Sequence, residues 1–123
     1  MPIVRVEALA PPELEVAALL ERVAAATAAA FEVELRHCWV TFQPLLPGHY
    51  LEGGRVRASE DARAAAPLVE IIAYQGRTPA RKARALRAVA EAVGGALGLE
   101  PDLVFVLYRE IARGHVHVGG EVL

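Results

Sequence analysis

From its second residue the chain alternates apolar with polar positions. "PIVRVEAL" (2–9) has the two-residue period of a half-buried strand. Pro11 and Pro12, followed by Glu13 and Glu15, predict the opening of a helix, because early carboxylates meet the positive end of the helix dipole. Val16, Leu19, Leu20, Val23 and Thr27 then recur at helical spacing and form one buried stripe. "RHCWVTFQ" (36–43), rich in aromatic and β-branched residues, predicts a second strand.

The same order of elements returns in the second half. "PLVEIIAY", starting at Pro67, predicts a strand. Thr78 suits an N-cap and Pro79 the first helical position. Leu86, Val89, Val93 and Leu97 supply the apolar stripe, and Gly98 stands where a left-handed C-cap is wanted. "DLVFVLYRE" (102–110) is the returning strand. Short phrases match as well: "GHYLEGG" (48–54) against "GHVHVGG" (114–120), and "PIVRVEA" (2–8) against "PLVEIIA" (67–73). The offsets are 66 and 65 residues, so the chain reads as a duplicated unit with a one-residue slip. Repeat one covers 2–54 and repeat two 67–120, with a charged surface connection at 55–66 that has room for a helical turn.

Each unit is strand, helix, strand and a glycine-bounded hairpin. Parallel strands joined through a helix form the right-handed βαβ unit. The expected fold is therefore α/β (α+β): two βαβ units sharing one four-stranded mixed sheet, with both helices on one face. The other face stays apolar and needs a cover.

Composition narrows the classes. At 123 residues, 54% hydrophobic and 23% charged, the chain is one domain (1–123) with a real core, not a disordered segment. A net charge of −2 gives no general attraction to nucleic acid or anionic membrane. No apolar run reaches membrane-spanning length, and the start lacks the basic-then-apolar plan of a signal peptide. The single cysteine, Cys38, excludes an internal disulfide framework and suits the reducing cytoplasm. It reads as a buried strand residue. Much of the apolar content is alanine, which favours helix but adds little core volume, so burial between subunits is expected.

Few other groupings point to chemistry. The basic run Arg77, Arg81, Lys82, Arg84 and Arg87 reads as a solvated helix face, with Arg87 and Glu91 an i,i+4 pair. It lacks the aromatic interleaving of a nucleic-acid surface. His115 and His117 share a strand face, but no cysteine or carboxylate stands at a spacing that would complete a metal site. No metal and no cofactor is expected.

Pro2 is different in kind. Initiator methionine is normally trimmed before a small residue, proline included, which would leave Pro2 as the N-terminus. An N-terminal proline is a secondary amine, which no other position in a chain supplies. A proline opening a strand needs no function of its own, since it loses no ladder bond there.

"PIVRVEAL" at the start, "GRT" before a helix and "GHVHVGGE" after a βαβ unit together resemble the tautomerase superfamily. That group includes 4-oxalocrotonate tautomerase, 5-carboxymethyl-2-hydroxymuconate isomerase, macrophage migration inhibitory factor and the 3-chloroacrylic acid dehalogenases. Residues 67–122 are similar to the 4-oxalocrotonate tautomerase subunit along its length, and the first half more loosely. The resemblance implies a fused pair of βαβ units assembled as a homotrimer. It implies catalysis without a cofactor on a small carboxylate of aromatic catabolism, a proline as general base or acid, and arginines that hold carboxylates.

Carried over residue by residue, the resemblance is lopsided. The catalytic proline falls on Pro2 and on Pro67, but the Pro67 nitrogen is an internal amide with no lone pair to accept a proton. The carboxylate-binding arginine falls on Arg77 in the second copy and on Pro12 in the first. The losses are complementary, implying one site per chain built from Pro2 and Arg77. A second arginine, which several members use to polarise the substrate carbonyl, is replaced by Trp39 and Phe105; neither ring can donate two hydrogen bonds to a carboxylate. The pocket aromatic falls on Tyr50 in the first copy and Val116 in the second. Arg109, four residues past Phe105, is a candidate for the missing cation or else an exposed strand charge. The expected activity is keto–enol proton transfer in a 2-hydroxy-dienoate or enol-pyruvate type acid. The alternatives are a proline-dependent hydratase, dehalogenase or decarboxylase, and a non-catalytic binding protein on the same scaffold.

Overall fold

The computed structural model describes residues 1–123. β1 (Pro2–Ala8) leads to α1 (Val16–Phe31) and β2 (Trp39–Pro44), then to a small hairpin of β3 (Leu51–Glu52) and β4 (Arg55–Val56). β5 (Leu68–Tyr74), α2 (Pro79–Leu97), β6 (Phe105–Ile111) and the hairpin β7 (His117–Val118) with β8 (Glu121–Val122) repeat the plan. The sheet order is β2-β1-β5-β6. β1 pairs with β2 and β5 with β6 in parallel, whereas the two central strands run antiparallel. This is the expected mixed sheet of two βαβ units.

Alternation decides the faces. Pro2, Val4, Val6 and Ala8 of β1 and Val69, Ile71 and Ala73 of β5 are buried under the helices. Leu19, Val23 and Phe31 of α1 and Val89, Val93 and Leu97 of α2 meet them in one apolar core. Helix periodicity against strand periodicity is sufficient to build it. The opposite sheet face carries Trp39, Phe105 and Leu107 exposed, interleaved with Arg5, Glu7, Glu70 and Arg109. Trp39 and Phe105 each leave more than half of their surface in solvent, which is a large apolar area for a free face.

Three expectations about boundaries are corrected. α1 begins at Val16, not at the prolines, and has no acid in its first turn. Pro11 instead starts a tight turn closed by the Leu14 N–H, and Glu13 leaves the helix end to pair with Arg63. The second strand of each unit starts three residues later than predicted, because Leu35–His37 and Pro101–Leu103 each close a short 3-10 turn. Cys38 is consequently the half-buried residue that ends the first such turn, outside the strand. The connection 55–66 is not wholly a surface segment either. Ala62 and Ala65 bury themselves against Leu9, beside Tyr50 and Leu45.

α2 follows its sequence signals closely. The Thr78 hydroxyl accepts from the Arg81 N–H at 3.3 Å, Pro79 occupies the first turn and Gly98 adopts the left-handed cap at φ 73°. The repeat is also visible in register. Trp39 corresponds to Phe105, Leu51 to His117 and Arg55 to Glu121, each 66 residues apart. The first strands keep matching faces at an offset of 65, Pro2 with Pro67. The slip therefore lies in the loop between first strand and helix, the loop that carries Arg77 in one copy and Pro11–Pro12 in the other.

Candidate active site

The antiparallel register of β1 with β5 sets Pro2 opposite Ala73. The N-terminus thus lies where β5 ends and the loop Gln75–Thr78 begins. In that loop Gly76 sits at φ 117°, a conformation that side chains with a Cβ rarely adopt, and it folds Arg77 back over the helix side of the sheet. Arg77 Nη1 donates to the Tyr74 carbonyl at 3.3 Å, and its guanidinium carbon stands 4.4 Å from the centre of the Phe31 ring. Phe31 in turn stacks on Tyr108, with ring centres 6.2 Å apart. The strand, the loop and the C-terminal end of α1 together hold the guanidinium in place.

This arrangement acts on the amine at the chain's start. Met1 precedes Pro2, so the amine belongs to Met1 and the Pro2 nitrogen is an amide. Burial pushes the amine below the ordinary 8, and the Arg77 charge pushes the same way, against an opposing pull from Cys38. The Cys38 thiol is raised, mainly by burial. Pro2 itself is fully buried. The two halves of the chain therefore bring Arg77 to the N-terminus within a single molecule.

Beside the amine opens a cavity of about 310 Å³, lined by Met1, Arg36, His37, Trp39 and Tyr74 and roofed by Val118 and Gly119 of the second hairpin. Trp39 reaches it because it pairs with Ile3, the residue after Pro2. Arg77 and Tyr108 approach the terminus from the helix side of the sheet, Trp39 and Tyr74 from the open side. The hydroxyls of Tyr74 and Tyr108 are both buried without a hydrogen bond. Arg77 faces the Tyr108 hydroxyl closely enough to favour its phenolate, but no bond of ordinary geometry forms. Burial is the larger effect and raises Tyr108 above the usual 10.

The remaining candidates lie elsewhere in the chain. Tyr50 is at the opposite end of β1 from Pro2. Its hydroxyl donates to the Ala66 carbonyl at 2.7 Å, next to Pro67, and Glu52 accepts from the Ala66 N–H at 3.0 Å. The first hairpin thus closes over the amide proline, while the second hairpin is the one that meets Met1. This follows from the pseudo-twofold arrangement, in which each hairpin folds over the other unit's first strand. Phe105 pairs with Leu68, again at the Pro67 end. Arg109 stands on the open face, opposite Ile72. It donates twice to Glu70 Oε2, at 3.1 and 2.7 Å, so its charge is already spent on a partner. Of the sequence candidates, the chain by itself assembles Pro2, Arg77 and Trp39 and leaves Tyr50, Phe105 and Arg109 apart.

Sequence reasoning missed Phe31, Tyr74 and Tyr108. Phe31 ends the α1 stripe at helical spacing, and Tyr108 falls on the inward alternation of β6. Both signals were present but read equally well as core. No cluster of histidine, cysteine or acidic side chains forms a metal-binding group. No helix is long and apolar enough to cross a membrane.

Comparison with known proteins agrees with this architecture. Residues 67–123 match the Tautomerase family, described as tautomerase enzyme. No curated protein matches the chain in sequence. Among solved structures, a native fused 4-OT is 23% identical, covers 98% of this chain and 94% of its own, and superposes with a TM-score of 0.84. Another wild-type fused 4-OT, an asymmetric trimer, is 20% identical over the same shares, also at 0.84. A member of the cis-3-chloroacrylic acid dehalogenase family is 20% identical over 98% of this chain and 82% of its own, at 0.81. The second half thus carries the Tautomerase family pattern, and the whole chain shares the duplicated βαβ fold of the fused 4-OT structures.

Proposed function

We propose that the protein is a cofactor-independent tautomerase that uses the amine of Pro2, freed by removal of Met1, as its general base. What supports the reading is that Arg77 stands near enough to the Met1 amine to disfavour its charged form, and that Pro2 beside it is buried. A secondary amine is intrinsically more basic than the ordinary α-amino group, which titrates near 8. Burial and a neighbouring guanidinium both penalise the ammonium form, which brings the nitrogen towards neutral pH.

The base removes the 2-hydroxyl proton of an enol acid. The oxygen becomes a carbonyl, the carbon–carbon π electrons shift, and the prolinium returns a proton to C3, or to C5 of a conjugated diene. Protons and electrons balance with no cofactor. Arg77 grips the carboxylate through two N–H groups and fixes the distance between the reacting carbon and the nitrogen. General acid–base catalysis of this kind contributes about 10²–10⁴-fold.

The assembly in this reading is a homotrimer, as in the fused 4-OT structures, with the exposed Trp39, Phe105 and Leu107 face turned towards other copies. Residence in the cytoplasm belongs to the same reading and rests on the single unpaired cysteine. A second reading, hydration or dehalogenation of an unsaturated carboxylate with Pro2 as acid, draws on the likeness to the cis-3-chloroacrylic acid dehalogenase family member.

Intact-mass measurement comes first: a species lacking Met1 supports an amine at Pro2. Ultraviolet assays of phenylenolpyruvate and 2-hydroxymuconate ketonisation follow, with halide release from 3-chloroacrylate in parallel. Pro2→Ala with undiminished ketonisation sinks the proposal. Halide release without ketonisation moves the protein to the second reading. A mature chain that keeps Met1 and does neither leaves a binding protein on the same scaffold.

A further inference from the structure

We infer that Tyr74 is a catalytic residue of this site, donating its hydroxyl hydrogen to the substrate's 2-oxygen as charge builds there. The inference rests on the tautomerase reading. Its ground is that the chain keeps a buried hydroxyl with no partner in a residue that lines the cavity beside the N-terminus. A buried hydroxyl without a hydrogen bond opposes folding, and phenylalanine would fill the same space without that penalty. A group retained against stability is accounted for if its partner is a ligand.

The position suits the role. Tyr74 ends β5, next to Ala73, which pairs with Pro2. Its carbonyl is held by Arg77 at 3.3 Å, so the anchor for the carboxylate and the proposed donor share one piece of backbone. Trp39 lines the same cavity where the resemblance expects a second arginine, and an indole offers a single N–H in place of a guanidinium fork. Arg36 reaches the cavity as well but is held by Glu34 at 3.0 Å in a largely exposed pair. Removal of the hydroxyl proton by Pro2 leaves an electron-rich oxygen, and a fixed neutral donor in an apolar wall stabilises it more than the enol it came from.

The test compares Tyr74→Phe with Pro2→Ala in the trimmed, full-length protein, using ketonisation of phenylenolpyruvate and thermal melting. The expected result for Tyr74→Phe is a fall in kcat of about 10²-fold with KM little changed. The acid limb of the pH profile stays in place and the melting temperature is unchanged or higher. Loss of a merely structural hydroxyl would lower the melting temperature and spare kcat. Wild-type kcat in Tyr74→Phe, alongside an inactive Pro2→Ala, overturns the role of Tyr74 and leaves the base intact. Full activity in both variants overturns the tautomerase reading itself, and a wild type that turns over neither enol ends both.

Discussion

The guanidinium of Arg77, from the loop after β5, lies 4.4 Å over the ring of Phe31, the last residue of α1. The contact joins the second repeat to the first and fixes the cation beside the terminus of β1. An arginine held by an aromatic face keeps its outer N–H groups free for a carboxylate. Arg77→Lys should keep the charge but lose the fork, lowering kcat/KM by roughly 10–100-fold for a carboxylate substrate. Arg77→Ala should also cost stability, about 1 kcal/mol for the lost cation–π contact. Steady-state kinetics and urea unfolding check the two effects separately.

The amine predicts a pH profile. Burial and Arg77 hold the Met1 amine below the ordinary 8, and an amine on Pro2 would meet the same two influences. A base must be neutral to work, so kcat/KM should rise with pH as the amine loses its proton and then level off. Arg77→Ala removes one of the two depressing influences and should move the limb upward. A limb that stays in place shows that burial alone sets it.

Alkaline stability follows from the tyrosines. Burial raises Tyr50 and Tyr108 above 10, so the unfolded chain releases their protons first. The native state then binds more protons than the unfolded state, and stability falls as pH rises from about 10 through the raised values. Tyr50→Phe should remove part of that dependence. It also leaves the Ala66 carbonyl without its partner, at a cost of about 1 kcal/mol near pH 7. Urea titrations at pH 7 and pH 10.5 measure both.

The repeat suggests a stabilising change. Glu32 ends α1 in the left-handed conformation at φ 56°, as Gly98 ends α2 at φ 73°. A Cβ is costly there and glycine is not. Glu32→Gly gives up an ion pair with Arg81 between exposed side chains, a small contribution in water. The net gain should be about 0.5–1 kcal/mol, read as a raised urea midpoint with unchanged slope.

How far the chain was legible depended on whether a signal was local. The Thr78 cap, Pro79 and Gly98 are short-range devices, and α2 formed where they stand. Pro11 and Pro12 were equally suggestive but became a turn, because the loop there differs in length from its counterpart and Leu14 closes on Pro11. Trp39 and Phe105 had the alternation of strands, and both sit in strands. What alternation left open was the 3-10 turn before each, set by backbone bonds three residues apart.

The repeat, the periodicities and the caps, all properties of near neighbours, determined two βαβ units and one buried sheet face. Which end of the sheet each hairpin covers was decided only by tertiary structure. The antiparallel β1–β5 register carries Arg77 and the second hairpin to the N-terminus, and Tyr50 and the first hairpin to Pro67. Tyr74 became visible as a buried hydroxyl without a partner for the same reason. Burial and hydrogen-bond satisfaction are sums over groups distant in sequence, and only the packed chain brings those groups together.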